Sequence, residues 1–224
     1  MNDTILRLFV SVPVACFRVA YAREYWETYP CPPPSTVYGM LLSVVGETNR
    51  LRHKGAEVAL AMVSYPERSV MLRKIWRVRR GRRGEVCKWK SFSLPDYQEL
   101  LTDVRLCVWL RNGEKEQRGE KGTLLERVKK ALVEPESISR FGGLSLGEST
   151  HLVDEVRAWR PQADPSEGRM LLKSEAGSLV LPVWSDHVKT KGTKWARFEL
   201  REMELPEVPD EGAWVVVEPL LKEV

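Results

Sequence analysis

The sequence predicts an α+β fold: a domain of strands with two helices, a basic β-hairpin protruding from it and a β-rich extension after it. Three observations lead there. Short apolar stretches alternate at strand spacing, two amphipathic segments at helical spacing fall between them, and the positive charge is gathered into a single segment. The chain has 224 residues, 43% apolar and 29% charged, which is the make-up of an ordinary globular protein with enough material for a sizeable core.

The elements follow in order. Leu6, Leu8, Val10, Val12 and Val14 alternate with Arg7, Phe9 and Ser11. This predicts a first strand, central because the intervening positions are not uniformly polar. Tyr29 to Pro34 is proline-rich and extended. Pro34 then stands at a helix start, with Ser35 or Thr36 available as a cap, and Val37, Met40, Leu41, Val44 and Val45 recur at helical spacing until Gly46. Residues 56–65 read as a second strand. Pro95 and Asp96 suggest a short helical turn, and Asp103 to Arg111 a third strand. Leu124, Leu125, Val128, Ala131 and Leu132 mark a second helix, stopped near Pro135. A glycine-rich loop, Phe141 to Ser149, leads to a strand at about 151–159. Without the basic insertion this is β-α-β-β-α-β, the ferredoxin-like arrangement shared by RNA-recognition modules. The expected organisation is a domain over 1–160, interrupted by a hairpin at about 66–93, then an extension over 161–224. Residues 161–168 read as a linker, and strands are expected near Leu179–Trp184, Trp195–Leu200 and Ala213–Val217.

The basic segment suggests the chemistry. Between Arg68 and Lys90 stand ten basic residues and one acid, Glu85, whereas the whole chain is only +4. The rest of the molecule is therefore net negative. Trp76 and Trp89 are interleaved with Arg73, Lys74, Arg77, Arg79, Arg80, Lys88 and Lys90. Cations that track phosphates, beside flat rings that stack on bases, are the footprint of a nucleic-acid binder. Extended arms around Gly81 and Gly84 place these residues on a long hairpin projecting from the body, with Arg73, Arg77 and Arg79 on one face of an arm and Lys74 and Trp76 on the other. The alternative is a solvated hairpin whose tryptophans pack against the body.

Other chemistries have fewer parts. Cys16, Cys31, Cys87 and Cys107 form no CxxC pair and read as buried free thiols. Three histidines leave little for a metal cluster, and no cofactor is expected. The apolar run at 5–17 is broken by Arg7 and Pro13, so a strand is expected there instead of a signal segment, and no run reaches membrane-spanning length. A cytoplasmic protein without a membrane partner is the expectation. Gly143, Ser145 and Gly147 match the GxSxG of a hydrolase elbow, but the preceding residues 136–140 are too polar for a buried strand. A backbone-rich loop approaching phosphate fits them better.

Three segments in order carry a resemblance: the first strand running into Cys16, Phe17 and Arg18; YPCPPPSTVYGMLLSVVGE from Tyr29; and RFGGLSLGESTHLVDEV from Arg140, with PDYQELLTDVRLCVWLR fitting between. The chain resembles Cas family 5, a subunit of type I CRISPR effector complexes (Cascade) in the RAMP superfamily, over about residues 5–160. The resemblance implies a ferredoxin-like body with a hairpin thumb, and a non-catalytic role capping the 5′ handle of the CRISPR RNA. It also implies contacts with the backbone and large subunits, and with target DNA only through the complex. Carried onto this sequence, the RNA-contacting candidates are Arg18, Tyr21, Arg23 and the basic residues of 73–90. The resemblance also implies that the loop glycines Gly142, Gly143 and Gly147, with Ser145, lie beside the RNA. One branch of the family cuts precursor RNA with a Tyr and an adjacent Lys-His pair. Tyr38 stands at the Tyr position, but no Lys-His dipeptide follows, and His53 precedes Lys54 in reverse order.

Overall fold

The computed structural model describes residues 4–23, 25–76, 93–116, 121–186 and 192–220, with backbone alone at 75, 76, 93 and 94. Ten strands and two helices follow in chain order: β1 (Ile5–Ala15), β2 (Tyr25–Trp26), α1 (Pro34–Val44), β3 (Glu57–Met62), β4 (Glu67–Trp76), β5 (Ser93–Arg111), α2 (Leu124–Val133), β6 (Glu155–Ala158), β7 (Glu167–Lys173), β8 (Leu179–Trp184), β9 (Lys194–Glu204) and β10 (Val215–Val216). The strands form one sheet whose main path is β6-β1-β5-β3-β7-β9-β8, with β2 and β4 pairing with β5 and β10 with β3. Its first four strands, with α1 between β1 and β3 and α2 between β5 and β6, have the ferredoxin-like connectivity.

The central strand pair explains the incomplete alternation of the sequence. β1 and β5 run antiparallel from Ile5 opposite Arg111 to Ala15 opposite Leu101. On one face Leu8, Val10, Val12, Leu106, Val108 and Leu110 meet α1 and α2. On the other, Cys107, Trp109, Ala59 and Ala61 lie under Met170, Leu205 and Trp214. Both faces are covered, so both sets of alternate residues are apolar. The main core also takes Leu181, Val183, Trp184 and Phe198 from β8 and β9, and the rings of Trp184 and Tyr38 stand 6.0 Å apart.

Several local expectations are corrected. Residues 95–96 form no helical turn. Pro95 and Asp96 lie in β5, opposite Lys74 and Arg73 of β4. β5 is one 19-residue strand. Its first part pairs with β4 and its second with β3, and at the changeover Asp103 adopts φ +57. Neither Ser35 nor Thr36 caps α1: Pro33 is the N-cap, Pro34 opens the helix, and no side chain caps it. The fixed φ of proline sets the entry instead. Ser35 Oγ accepts a bond from Ser185 Oγ at 3.2 Å. The helix end at Gly46 is as expected, in the left-handed region at φ +64. α2 begins with a full capping box between Thr123 and Glu126. The polar stretch 161–168 gives way at Glu167 to β7, a strand with no clear mark in the sequence.

Candidate nucleic-acid interface

β1 ends at Ala15 and the chain turns through residues 16–23 before β2. This turn meets the glycine loop. Leu146 is fully buried and anchors the loop, and Ser145 bridges to Leu152. Gly147 has φ +98, and a Cβ there would stand 2.7 Å from the Cys16 carbonyl oxygen. Glycine is required at that position by conformation and by close approach. His151 closes the other side: its Nδ1 accepts the Cys16 backbone N–H at 3.1 Å, and burial lowers the imidazole pKa. His151 thus acts as a neutral, hydrogen-bonded structural residue.

Glu148 ties this loop to the base of the β4–β5 pair. Its carboxylate accepts from Arg73 Nη1 at 3.0 Å and from Gln98 Nε2 at 2.9 Å. These partners stand on two other elements, β4 and β5. Arg73 also donates to Gln98 Oε1, and its guanidinium lies 5.0 Å from the centre of the Trp26 ring. Arg18 approaches the same ring at 3.9 Å and donates to the Ala22 carbonyl at 2.9 Å. Two guanidiniums therefore converge on one indole, next to the glycine loop. Tyr21 is 78% exposed, and Arg23 and Lys74 are exposed nearby in sequence to these groups. At the loop's other end Phe141, Gly142 and Gly143 are exposed, and Gly142 adopts φ +78 with open space where a Cβ would point.

The structure thus brings Arg18, Arg73, Gly147 and the loop of Ser145 together. Trp76 ends β4, and Arg77, Arg79, Arg80, Lys88, Trp89 and Lys90 lie outside the described residues. Sequence reasoning passed over Trp26 and Gln98 and did not place Glu148 against Arg73. An aromatic three residues after Arg23 was the available cue for Trp26.

The two enzymatic arrangements are poorly served. Tyr38 is fully buried, its hydroxyl donates to the Arg50 carbonyl at 2.7 Å, and burial raises its pKa. His53 is also fully buried, between Glu116 at 3.1 Å and Arg127 at 2.7 Å. Because the Arg127 N–H donates to Nε2, Nδ1 carries the proton toward Glu116. Before Ser145 the chain has a 3-10 turn at Pro135–Ser137 and no strand over 138–144, so no strand-to-helix elbow forms. Among the described residues no cluster of three or more His, Cys, Asp or Glu is placed to hold a metal. No helix among them is long and apolar enough to cross a membrane. Cys16, Cys31 and Cys107 are buried free thiols, with burial raising Cys31 and Cys107 to about 12.

Strand order and helix placement make this a ferredoxin-like protein with an extended sheet. The family model described as CRISPR-associated protein (Cas_Cas5) matches residues 5–202. The CRISPR-associated protein Cas5 of Myxococcus xanthus (strain DK1622) is 42% identical over 218 residues, covering 93% of this chain and 100% of the relative. A chain of a solved CRISPR RNA-guided surveillance complex shares the fold, with TM-score 0.61, 14% identity, and 94% and 95% of the two chains covered. The chain belongs to the CRISPR-associated Cas5 family of the RAMP superfamily.

Proposed function

We propose that this protein is the subunit of a CRISPR effector complex (Cascade) that binds and caps the 5′ handle of the CRISPR RNA, without catalysing a reaction. The observation that carries the proposal is the convergence of Arg18 and Arg73 on Trp26 beside the glycine loop. The Arg18 guanidinium, held against an aromatic surface, offers charge to phosphates, Arg73 fixes the loop beside it through Glu148, and exposed backbone at Gly142 and Gly143 admits close approach. Tyr21, Arg23, Lys74 and Ser145 extend this surface. The β4–β5 pair is the stem of a thumb whose basic residues, Arg77, Arg79, Arg80, Lys88 and Lys90 with Trp76 and Trp89, continue the contact toward the backbone subunit. The large subunit meets another side, and target DNA is engaged only through the assembly. Residues 1–160 form the RAMP domain and 161–224 its extension.

The buried positions of Tyr38 and His53 favour this reading over RNA cleavage, because neither group reaches a ribose hydroxyl in a surface-bound strand. The test is charge reversal at Arg77, Arg79 and Arg80 in a tagged chain expressed with its native partners. Loss of RNA from the purified particle, or failure to assemble, is expected. A particle that assembles with its normal complement of RNA would count against the proposal.

A further inference from the structure

Two clefts flank the turn at residues 16–23, and both have a wall from the C-terminal strands. One, of about 380 Å³, lies between Tyr21, Arg68 and Val180. The other, of about 340 Å³, is lined by Arg18, Thr36, Gly147, Ser185, Thr193 and Trp195. Each falls in the range of roughly 300–1,000 Å³ typical of clefts that hold a small molecule. The second has the more specific chemistry. Trp195 is 42% exposed although it sits in β9, opposite Pro182 of β8. Its neighbours across the cleft are hydroxyl groups, glycine backbone and a guanidinium. Glu148 also lines this cleft, but its carboxylate is engaged by Arg73 and Gln98. The end of β8 is held by Ser185 on Ser35, and Asp186 accepts from Gly192 N while its own N–H donates to Thr193. The cleft wall is therefore anchored to the start of α1 on one side, and on the other Asp186 is tied to Gly192 and Thr193.

We propose that β8 and β9 form the second wall of the RNA site, and that the 340 Å³ cleft takes one unstacked nucleotide of the handle with its base against Trp195. A flat indole beside several hydroxyl groups suits a ribonucleotide: the indole offers stacking to any base, and the hydroxyls meet the 2′-OH and base edge. The cleft shares Arg18 and Gly147 with the handle surface, so a strand that follows that surface passes its mouth. The inference rests on the handle-capping reading and adds to it a role for the C-terminal strands and a specific stacking residue.

The experiment uses the full chain and synthetic copies of the RNA that co-purifies with it, each carrying one abasic nucleotide at a successive handle position. At one position the missing base is expected to weaken binding by about tenfold, the scale of one lost base-aromatic stack. In Trp195→Ala that same abasic substitution should cost nothing, while Trp195→Phe restores the penalty. Ultraviolet crosslinking of the wild-type protein supplies a measurement independent of how the variant folds, and a crosslinked peptide containing Trp195 is expected. If RNA binds but the abasic penalties are the same in Trp195→Ala, or the crosslinks spare β8 and β9, the cleft assignment is overturned and handle capping stands. If the chain binds none of these RNAs, both are overturned.

Discussion

Arg18 and Arg73 do different work although both face Trp26. Arg73 is shared with Glu148 and Gln98 and so fixes the glycine loop to the stem of β4 and β5. Arg18 is bound within its own turn, to the Ala22 carbonyl, and keeps more of its charge for a ligand. Replacing Arg18 with Gln is expected to weaken RNA binding about tenfold and to reduce the slope of log affinity against log salt by about 0.7, one phosphate contact on a single strand. Filter binding at several salt concentrations reads both. His151 supplies a pH dependence. Its Nδ1 must be unprotonated to accept from Cys16, and its pKa lies below the ordinary value because of burial, with Glu148 opposing and Arg73 reinforcing the shift. A depressed folded-state pKa means that the unfolded chain takes the proton first as pH falls. The stabilisation is therefore complete above the unfolded value of about 6.5 and is lost on acidification through the folded value. Thermal melting should show the advantage of wild type over His151→Ala shrinking as the pH falls below the unfolded value of about 6.5, and a constant difference would contradict this role.

At the scale of elements, the glycine loop and the long strand β5 each depend on one unusual backbone position. Gly147→Ala puts a Cβ against the Cys16 carbonyl in a left-handed conformation and should cost about 2 kcal/mol or more. Gly142→Ala has the same sign of φ but open space, and about 1 kcal/mol is expected from chemical denaturation. In β5, Asp103 takes φ +57, and its carboxylate accepts from Arg105 Nε at 2.8 Å. Asp103→Val should destabilise by about 2 kcal/mol, because a β-branched residue resists that conformation, whereas Asp103→Gly should cost less than about 1 kcal/mol. These elements also show what the sequence could display. The helix at 34–44 was legible, since Val37, Met40, Leu41 and Val44 repeat at the helical period. β5 was not legible as one strand. Pro95 followed by Asp96 carries the marks of a turn, and only the ladder with Lys74 and Arg73 overrides them. β7 was hidden because its first residues, Glu167 and Gly168, are polar or small, and its burial comes from β3 and β9 far away in sequence.

Across the whole molecule, the sheet is covered on both faces, by the helices on one and by Leu205, Trp214 and their neighbours on the other. That leaves a rim where the turn after β1, the glycine loop, the base of β4–β5 and the end of β8–β9 meet. Arg73 and Gly147 could be named from the sequence because charge and glycine spacing are local features, and Arg18 through the family resemblance. Trp26, Gln98, Glu148 and Trp195 could not be joined to them, because their meeting depends on the order of strands in the sheet. If this rim caps a defined RNA end inside a CRISPR effector, that RNA travels with the protein. The decisive measurement is to tag the chain in its native host, purify it at moderate salt and sequence the RNA that accompanies it. Spacer-containing RNA that begins at one fixed repeat-derived 5′ end is expected, together with the other subunits of the complex. A chain that elutes alone, without RNA, would contradict the capping role.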